Sequence, residues 1–463
     1  MPKSAVAYAS TACVALLAAA ITLPMDPARA QTPNSGVSIG PSEGLAAPNA
    51  PQAPTVEHLF GDWGGLRTKL ENAGVNITAD WVAEVAGNTG GAQQGATYAG
   101  QVGLQVDADW NKLLQIPGLQ THVVVVNRQG SLDSTIFGDK LNPTQEIYGA
   151  GGNAGIHFVY GYAEEALLNG RVNIAVGRMP LLNDFAASPL YCNFMNNSLC
   201  GNPKLLPSAD IGISSYPDSV WGGRVRVRPT EQTYIQVGAY EVNQTLYGNK
   251  YFRSNFDFSS AGSNGAEIPV EIAYEPVIGA AKLPGHYKLG FAYDTAQNNG
   301  YFSSIQAINT GVRPTGNKSE FWALADQMVY RNGPGSLDGI TLLAGYMHSD
   351  GSLSSYNDQV FAGVIDHGFW HARPQDQIAL LVNYTNISGA YAREQELDLA
   401  AGLPLLGGAT GVQTSSVLME LNYNIHVGHG IDFAPDFQYY FRPNAQANIK
   451  DAAVFGFKSH VNF

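Results

Sequence analysis

No stretch after the first thirty residues of this 463-residue chain approaches about 18 uninterrupted apolar residues, so no segment can cross a membrane as a helix. Charge is scarce too. Asp, Glu, Lys and Arg make up 14% of the chain, low for a soluble domain. Gly (52) and Tyr (23) are abundant instead, a composition that suits a β-barrel whose outer wall faces lipid. Cysteine is nearly absent. Of three, only Cys192 and Cys200 lie beyond the N-terminal leader. With no neighbouring Cys or His they do not form a metal pair. In an oxidising compartment they read as a disulfide that staples one loop.

Catalytic constellations are missing as well. Gly36–Val37–Ser38–Ile39–Gly40 matches a nucleophile elbow formally, but it lacks the strand before and the helix after that the motif requires. His367 and His371 have HxxxH spacing, yet Val360–Val364 and Phe369–Trp370 read as strand. Residues four apart in a strand stand about 13 Å apart. The glycines of Gly149–Gly155 miss the dinucleotide fingerprint and its βαβ context. The reading is therefore neither an enzyme nor a cofactor or metal protein.

What is present begins at the N-terminus. Lys3, the apolar run Ala12–Ile21 and the small-residue site Ala28–Arg29–Ala30 read as a secretory signal over residues 1–30, cleaved before Gln31. Ser10 stands where a lipobox wants an aliphatic residue, so Cys13 is not lipidated. Removing Lys3, Arg29 and Asp26 changes 25 basic and 38 acidic residues to 23 and 37, a net charge of −14. That argues against nucleic acid and against a dedicated polyanion channel. Residues 31–57, rich in Pro, Gly and Ala, read as a disordered leader. In 58–74, Leu66, Leu70 and Ala73 share a helical face before Gly74, a good C-cap.

From Val75 onward the period becomes two. The last stretch, Ala452–Phe463, sets Phe455, Phe457, Ser459, Val461 and Phe463 on one face and Gly456, Lys458, His460 and Asn462 on the other. An aromatic face opposite a polar one is the pattern of a strand between lipid and water. In a bilayer every backbone polar group must be paired, so such a strand has to close a barrel. Sixteen strands are expected over 75–463: 75–86, 100–110, 118–129, 155–168, 171–179, 221–228, 232–242, 270–276, 286–294, 319–331, 338–349, 358–372, 376–388, 415–426, 430–441 and 453–463. Short and long connections alternate, as in bacterial barrels with periplasmic turns and exterior loops. The fold class is an all-β transmembrane antiparallel barrel, wide enough for an aqueous channel.

The run Gly61–Asp62–Trp63–Gly64–Gly65–Leu66–Arg67, with Leu70–Glu71 and Gly74–Val75 after it, resembles the opening signature of the OprB-type carbohydrate-selective porins. The resemblance continues through Gly177–Arg178 with Asp184–Phe185, Val237–Gly238–Ala239–Tyr240, and Gly285–Gly290 with Tyr293–Asp294–Thr295. It implies a passive outer-membrane channel for small sugars, in contact with lipid, and it is compatible with self-association of barrels. A non-selective general porin and a barrel assisting polysaccharide export are the alternative functions.

A sugar eyelet calls for guanidinium donors, carboxylate acceptors and an aromatic surface at one level. The candidates are Arg128, Glu164, Arg178, Asp184, Arg224 and Arg226, with Trp221 or Tyr191 as the stacking surface. Arg224, Arg226 and Arg228 share one face opposite Val225 and Val227, so they should face the lumen, since cations facing lipid cost several kcal/mol each. Either they select, or they form a ladder balanced by carboxylates. By parity Arg178 falls with Val172, Ile174 and Val176, on the outward face. The longest connection, 180–220, is able to fold into the lumen and narrow it.

Overall fold

The structure, a computed structural model, describes residues 57–147, 153–243 and 254–463. The expected signal and nearly all of the leader lie outside these residues. Sixteen barrel strands follow in order: β1 (Val75–Gly90), β2 (Gly95–Asp109), β3 (Leu119–Gly130), β4 (Ala154–Leu167), β5 (Val172–Met179), β6 (Val220–Thr230), β7 (Thr233–Val242), β8 (Gly265–Tyr274), β9 (Leu283–Asp294), β10 (Ser319–Tyr330), β11 (Gly339–Ser349), β12 (Tyr356–His367), β13 (Gln377–Ile387), β14 (Ser415–Gly428), β15 (Ile431–Phe441) and β16 (Ala452–Asn462). Each pairs antiparallel with its neighbours. β1 closes the ring on β16, in register from Asp80 opposite Asn462 to Gly90 opposite Ala452.

The wall is inside-out relative to a soluble protein. Leu289, Phe291, Leu380, Val382 and Leu421 point outward and exposed, while Glu84, Gln236, Glu271, Asn383 and Glu420 point inward and buried. Lipid supplies the apolar surroundings that a core would supply elsewhere. Aromatic rings pair across strands on the outer face of the last strand, Phe433 with Phe457 at 5.0 Å and Phe437 with Phe455 at 5.1 Å.

All sixteen expected strands are present, with shifted ends. β8 begins at Gly265 rather than at 270. Pro269 breaks the ladder toward β7, where no partner is formed between Val237–Val270 and Tyr240–Glu267, yet stays opposite Ala292 on β9. A proline is tolerated where it gives up only one side of the sheet. β12 stops at His367, not 372, because Gly368 turns left-handed (φ +73°). His371 therefore lies in a turn, and His367 pairs with Asp338 at 3.1 Å. β1 and β2 run on toward each other, since the Asn88 side chain bonds Gly90, Gln93 and Gly95 and closes a tight turn.

The opening motif acts at the seam. Helix α1 (Leu66–Ala73) is shorter than the expected 58–74 because Gly64 and Gly65 take left-handed φ values of +69° and +93°, and Gly74 caps it at +100°. That turn places Arg67 over the Trp63 ring at 4.0 Å. Its guanidinium donates to the carbonyls of Ile77, at 3.1 Å, and Phe463. Phe60 stacks on Phe463 at 5.6 Å, and Leu59 N donates to Asn462 O at 2.7 Å. The segment before β1 thus clamps the end of β16. Replacing Arg67 with Ala removes charge-assisted bonds worth roughly 1.5–3 kcal/mol each. The folded barrel should then unfold at a lower temperature in a gel-shift melting series.

Candidate functional site

The connection 180–219 folds into the lumen rather than over it. Its apolar residues Leu181, Phe185, Phe194, Leu199, Leu205, Leu206 and Ile213 are fully buried. They pack on inward residues of β10–β13: Trp322, Leu343, Met347, Phe361 and Leu381. Trp322 fits because its partner on β9 is Gly290, where a Cβ would sit 2.0 Å from the indole ring. One side of the lumen is thus filled by a hydrophobic core made of loop and wall.

Polar contacts fix the loop near its start and at its apex. Near its start, the Glu271 carboxylate accepts from Ala186 N (2.9 Å), Trp322 Nε1 (2.7 Å), Tyr234 Oη (2.7 Å) and Gln236 Nε2 (2.9 Å). At its apex, Glu420 accepts from Met195 N (2.6 Å) and Asn196 N (3.0 Å), and Lys458 Nζ lies 3.4 Å from Cys192 O. Cys192 and Cys200 are disulfide-bonded within this apex. Alkylation of the native barrel should therefore add no mass, and two labels should appear after reduction.

The arginine face of β6 is where loop meets wall. Arg224 stands in one row with Ala175 and Glu164, and Ala175 is too short to separate them. Arg224 donates to Asp184 Oδ1 (2.7 Å), to Glu164 Oε2 (3.2 Å) and to Asn173. Arg226 donates to Gln236 Oε1 (2.7 Å), reaches Asp184 at 3.5 Å and lies over the Tyr234 ring. Arg228 pairs with Glu275 at 2.8 Å. The arginines face the lumen, and carboxylates balance each of them. Glu164 comes from β4, Glu275 stands just past the end of β8, and Asp184 comes from the loop. Buried pairs of this kind are strongly destabilised by removal of one member.

From Glu164 the chain of contacts leads into accessible space. His122 lies 3.6 Å from Glu164 and 2.7 Å from Asp107. These three side chains keep 14–18% exposure, whereas Arg224 and Asp184 keep 2% and 1%. Lys458 (17%) and His460 (22%) on β16 are accessible in the same way, His460 bonding Asp80 at 3.0 Å. Accessible polar groups thus line the wall from β16 round to β4, opposite the core-filled side.

The remaining candidates divide. Arg128 faces the lumen on β3, 2% exposed, and its field acts on Asp218 and Lys204 of the loop. Burial pushes the Asp218 carboxyl up to about 7 and the Lys204 ammonium down to about 8. Tyr191 is 4% exposed with its ring edge-on to Phe361 at 5.5 Å, so it packs the loop and offers no stacking surface. Trp221 and Arg178, expected at the eyelet, stand outside the lumen. They are register partners on the outward face. Trp221 is 43% exposed there and donates to Phe258 O at 3.0 Å. Arg178 is outward, as its parity indicates, but it is covered by the segment 254–258 and donates to Asp257 O, Ser219 O and Asn255 Oδ1. Neither lines the lumen.

Asp107, His122 and Glu271 were not anticipated. His122 shares its face with Arg128 by simple alternation, a signal that parity could have supplied; nothing local marks Glu271.

Residues 93–463 match the family described as carbohydrate-selective porin, OprB family. The chain is similar to Porin B of Pseudomonas aeruginosa, 28% identical over 430 residues, covering 89% of this chain and 92% of that protein. It is also similar to the putative porin QuiX of Acinetobacter baylyi, 26% identical over 419 residues, covering 88% and 93%. Among solved structures, the high-pH structure of Pseudomonas putida OprB superposes with a TM-score of 0.81 at 26% identity, covering 89% of this chain and all of that one.

Proposed function

The chain belongs to the carbohydrate-selective porin, OprB family, and is a passive, sugar-selective channel of the outer membrane; from that premise we propose that sugars are selected along the wall from β16 to β4, at Glu164, His122, Asp107 and Lys458. The observation that carries this reading is the partial exposure of these inward polar side chains, opposite the side of the lumen that the loop fills. A sugar hydroxyl both donates and accepts. Glu164 and Asp107 accept from it, and Lys458 donates to it. Arg224 and Asp184 are positioning residues here: they hold Glu164 and the base of the loop, and do not reach the accessible space themselves. Water competes at such a wall, so each contact is weak and a bound sugar leaves quickly.

Single-channel recording tests this. Sugar block of ion current is expected in the parent protein, and Glu164→Gln should weaken it about fivefold, since a charged acceptor is roughly twice as strong as a neutral one. Unchanged block in the variant places the sugar path elsewhere. No block in the parent points to a general porin. The same reading includes export through the inner membrane with signal cleavage after Ala30, which predicts Gln31 as the N-terminus in mass spectra of the assembled protein.

A further inference from the structure

A second set of buried acids lies toward the rim of long loops, away from the accessible wall. We infer that Asp210, Glu267 and Asp294 form a calcium-binding site that pins the folded-in loop to the barrel. Asp210 follows the helical turn Leu205–Ala209 of the loop, Glu267 is in β8 and Asp294 ends β9. Each offers a carboxylate oxygen, all within 4.8 Å of one another. Calcium holds its oxygens at about 2.3–2.6 Å, so ligands on opposite sides of one ion stand up to about 5 Å apart. The three carboxylates fit around a single ion.

Acids alone do not make a site; the independent observation is Glu267. It is 0% exposed, and neither of its carboxylate oxygens has a hydrogen-bond partner among the described residues. Asp210 Oδ2 and, beside the cluster, Glu320 Oε2 are buried and unpartnered in the same way. The other oxygens are held in place. Asp210 Oδ1 accepts from Gly212 N (2.8 Å), Asp294 accepts from Ala296 N (2.7 Å) and Asn298 Nδ2 (2.8 Å), and Glu320 Oε1 accepts from Ser349 Oγ (3.0 Å). Such bonds orient the carboxylates: both Asp294 oxygens accept one, while Asp210 Oδ2 and the two Glu267 oxygens stay free beside them. The loop closes over it at Gly212, where a Cβ would sit 2.6 Å from Glu267 Oε2.

Charge and ligand type name the occupant. Lys318 acts on Asp210, Glu267 and Glu320, but its ammonium donates to Ala209 O at 2.6 Å. One ammonium does not balance four carboxylates, and a divalent cation would supply the missing positive charge. An all-oxygen set disfavours zinc and copper. Magnesium keeps several waters of its own, which suits a fully buried set poorly. Calcium also matches the setting, since exterior sites work at about 0.1–1 mM of the ion.

The test is calcium binding to the folded mature chain in detergent, freed of lipopolysaccharide and read without sugar flux, so its failure is separate from failure of the sugar path. Equilibrium dialysis with radioactive calcium at about 1 mM free ion should find one ion per chain. Asp210→Asn and Glu267→Gln should each lower the affinity at least tenfold while remaining heat-modifiable barrels. An empty parent protein overturns the assignment, and so does wild-type binding in both variants. If neither variant assembles, anomalous scattering from terbium-soaked wild-type crystals decides. A peak between Asp210, Glu267 and Asp294 upholds the site; peaks elsewhere only, or none, overturn it.

Discussion

Deleting Phe463 should reduce the amount of assembled barrel by more than about tenfold. The last residue joins three elements. Its N–H donates to Ala79 O at 2.9 Å, its carbonyl accepts from Arg67, and its ring stacks on Phe60. The charge-assisted bond is worth roughly 1.5–3 kcal/mol and the ring pair about 0.5–1.5 kcal/mol; together they exceed the 1.4 kcal/mol that equals a factor of ten. The loss falls on the β1–β16 seam, without which all the backbone groups of two strand edges are open to lipid. Quantifying the heat-modifiable band on a gel measures it. Phe463→Leu keeps the backbone bonds and should recover most of the barrel. Wild-type levels after the deletion would remove the clamp from the account of closure.

Replacing Arg224 and Arg226 together with Ala is expected to have the second largest effect. Arg224 lies between Asp184 and Glu164, and its removal leaves two carboxylates facing each other with Asn173 unanswered. Breaking a buried pair in this way costs about 3–5 kcal/mol. Asp184 belongs to the loop, so the cost appears as a loosened loop base, read as noisier and larger single-channel current. The electrostatic sign is separate. Removing two positive charges from a lumen in a protein of net charge −13 raises cation preference, which the reversal potential in a salt gradient reports. Sugar block should weaken as well, because Glu164 loses its brace. Arg224→Lys keeps the charge but not the two-pronged geometry, so it should restore the reversal potential and leave the current noisy. An unchanged reversal potential in the double variant means that these arginines do not govern the field of the pore.

The parts of the architecture that were legible in the sequence rest on local geometry. Alternation along Ala452–Phe463 assigns its two faces because side chains in a strand point to opposite sides. The alternation of short and long connections orders the strands around the ring, and the pairing of Cys192 with Cys200 follows from having no other partner in the loop. The inward direction of Arg224 and Arg226 is a parity argument, and it carries through because β6 is regular. A stacking role for Trp221 in the eyelet runs against that same parity, and the register sets it on the outside opposite Arg178.

Local pattern stops being informative where both faces are apolar. β11 sets Leu342 and Tyr346 toward lipid but also Leu343 and Met347 inward, and β13 does the same with Leu380 and Leu381. Such strands contradict a water-filled lumen unless something apolar enters it, and that partner is the distant loop 180–219. The sequence by itself therefore determined the strand number, the closure and the lumen arginines, all of which follow from backbone periodicity and the need to satisfy hydrogen bonds in lipid. Only the tertiary structure decided that this loop fills one side of the barrel, that Asp184 and Glu164 neutralise Arg224, that Glu271 anchors the loop and that Arg178 is covered from outside. Each of these joins residues far apart in the chain, and the spacing of residues along a strand carries no information about such contacts.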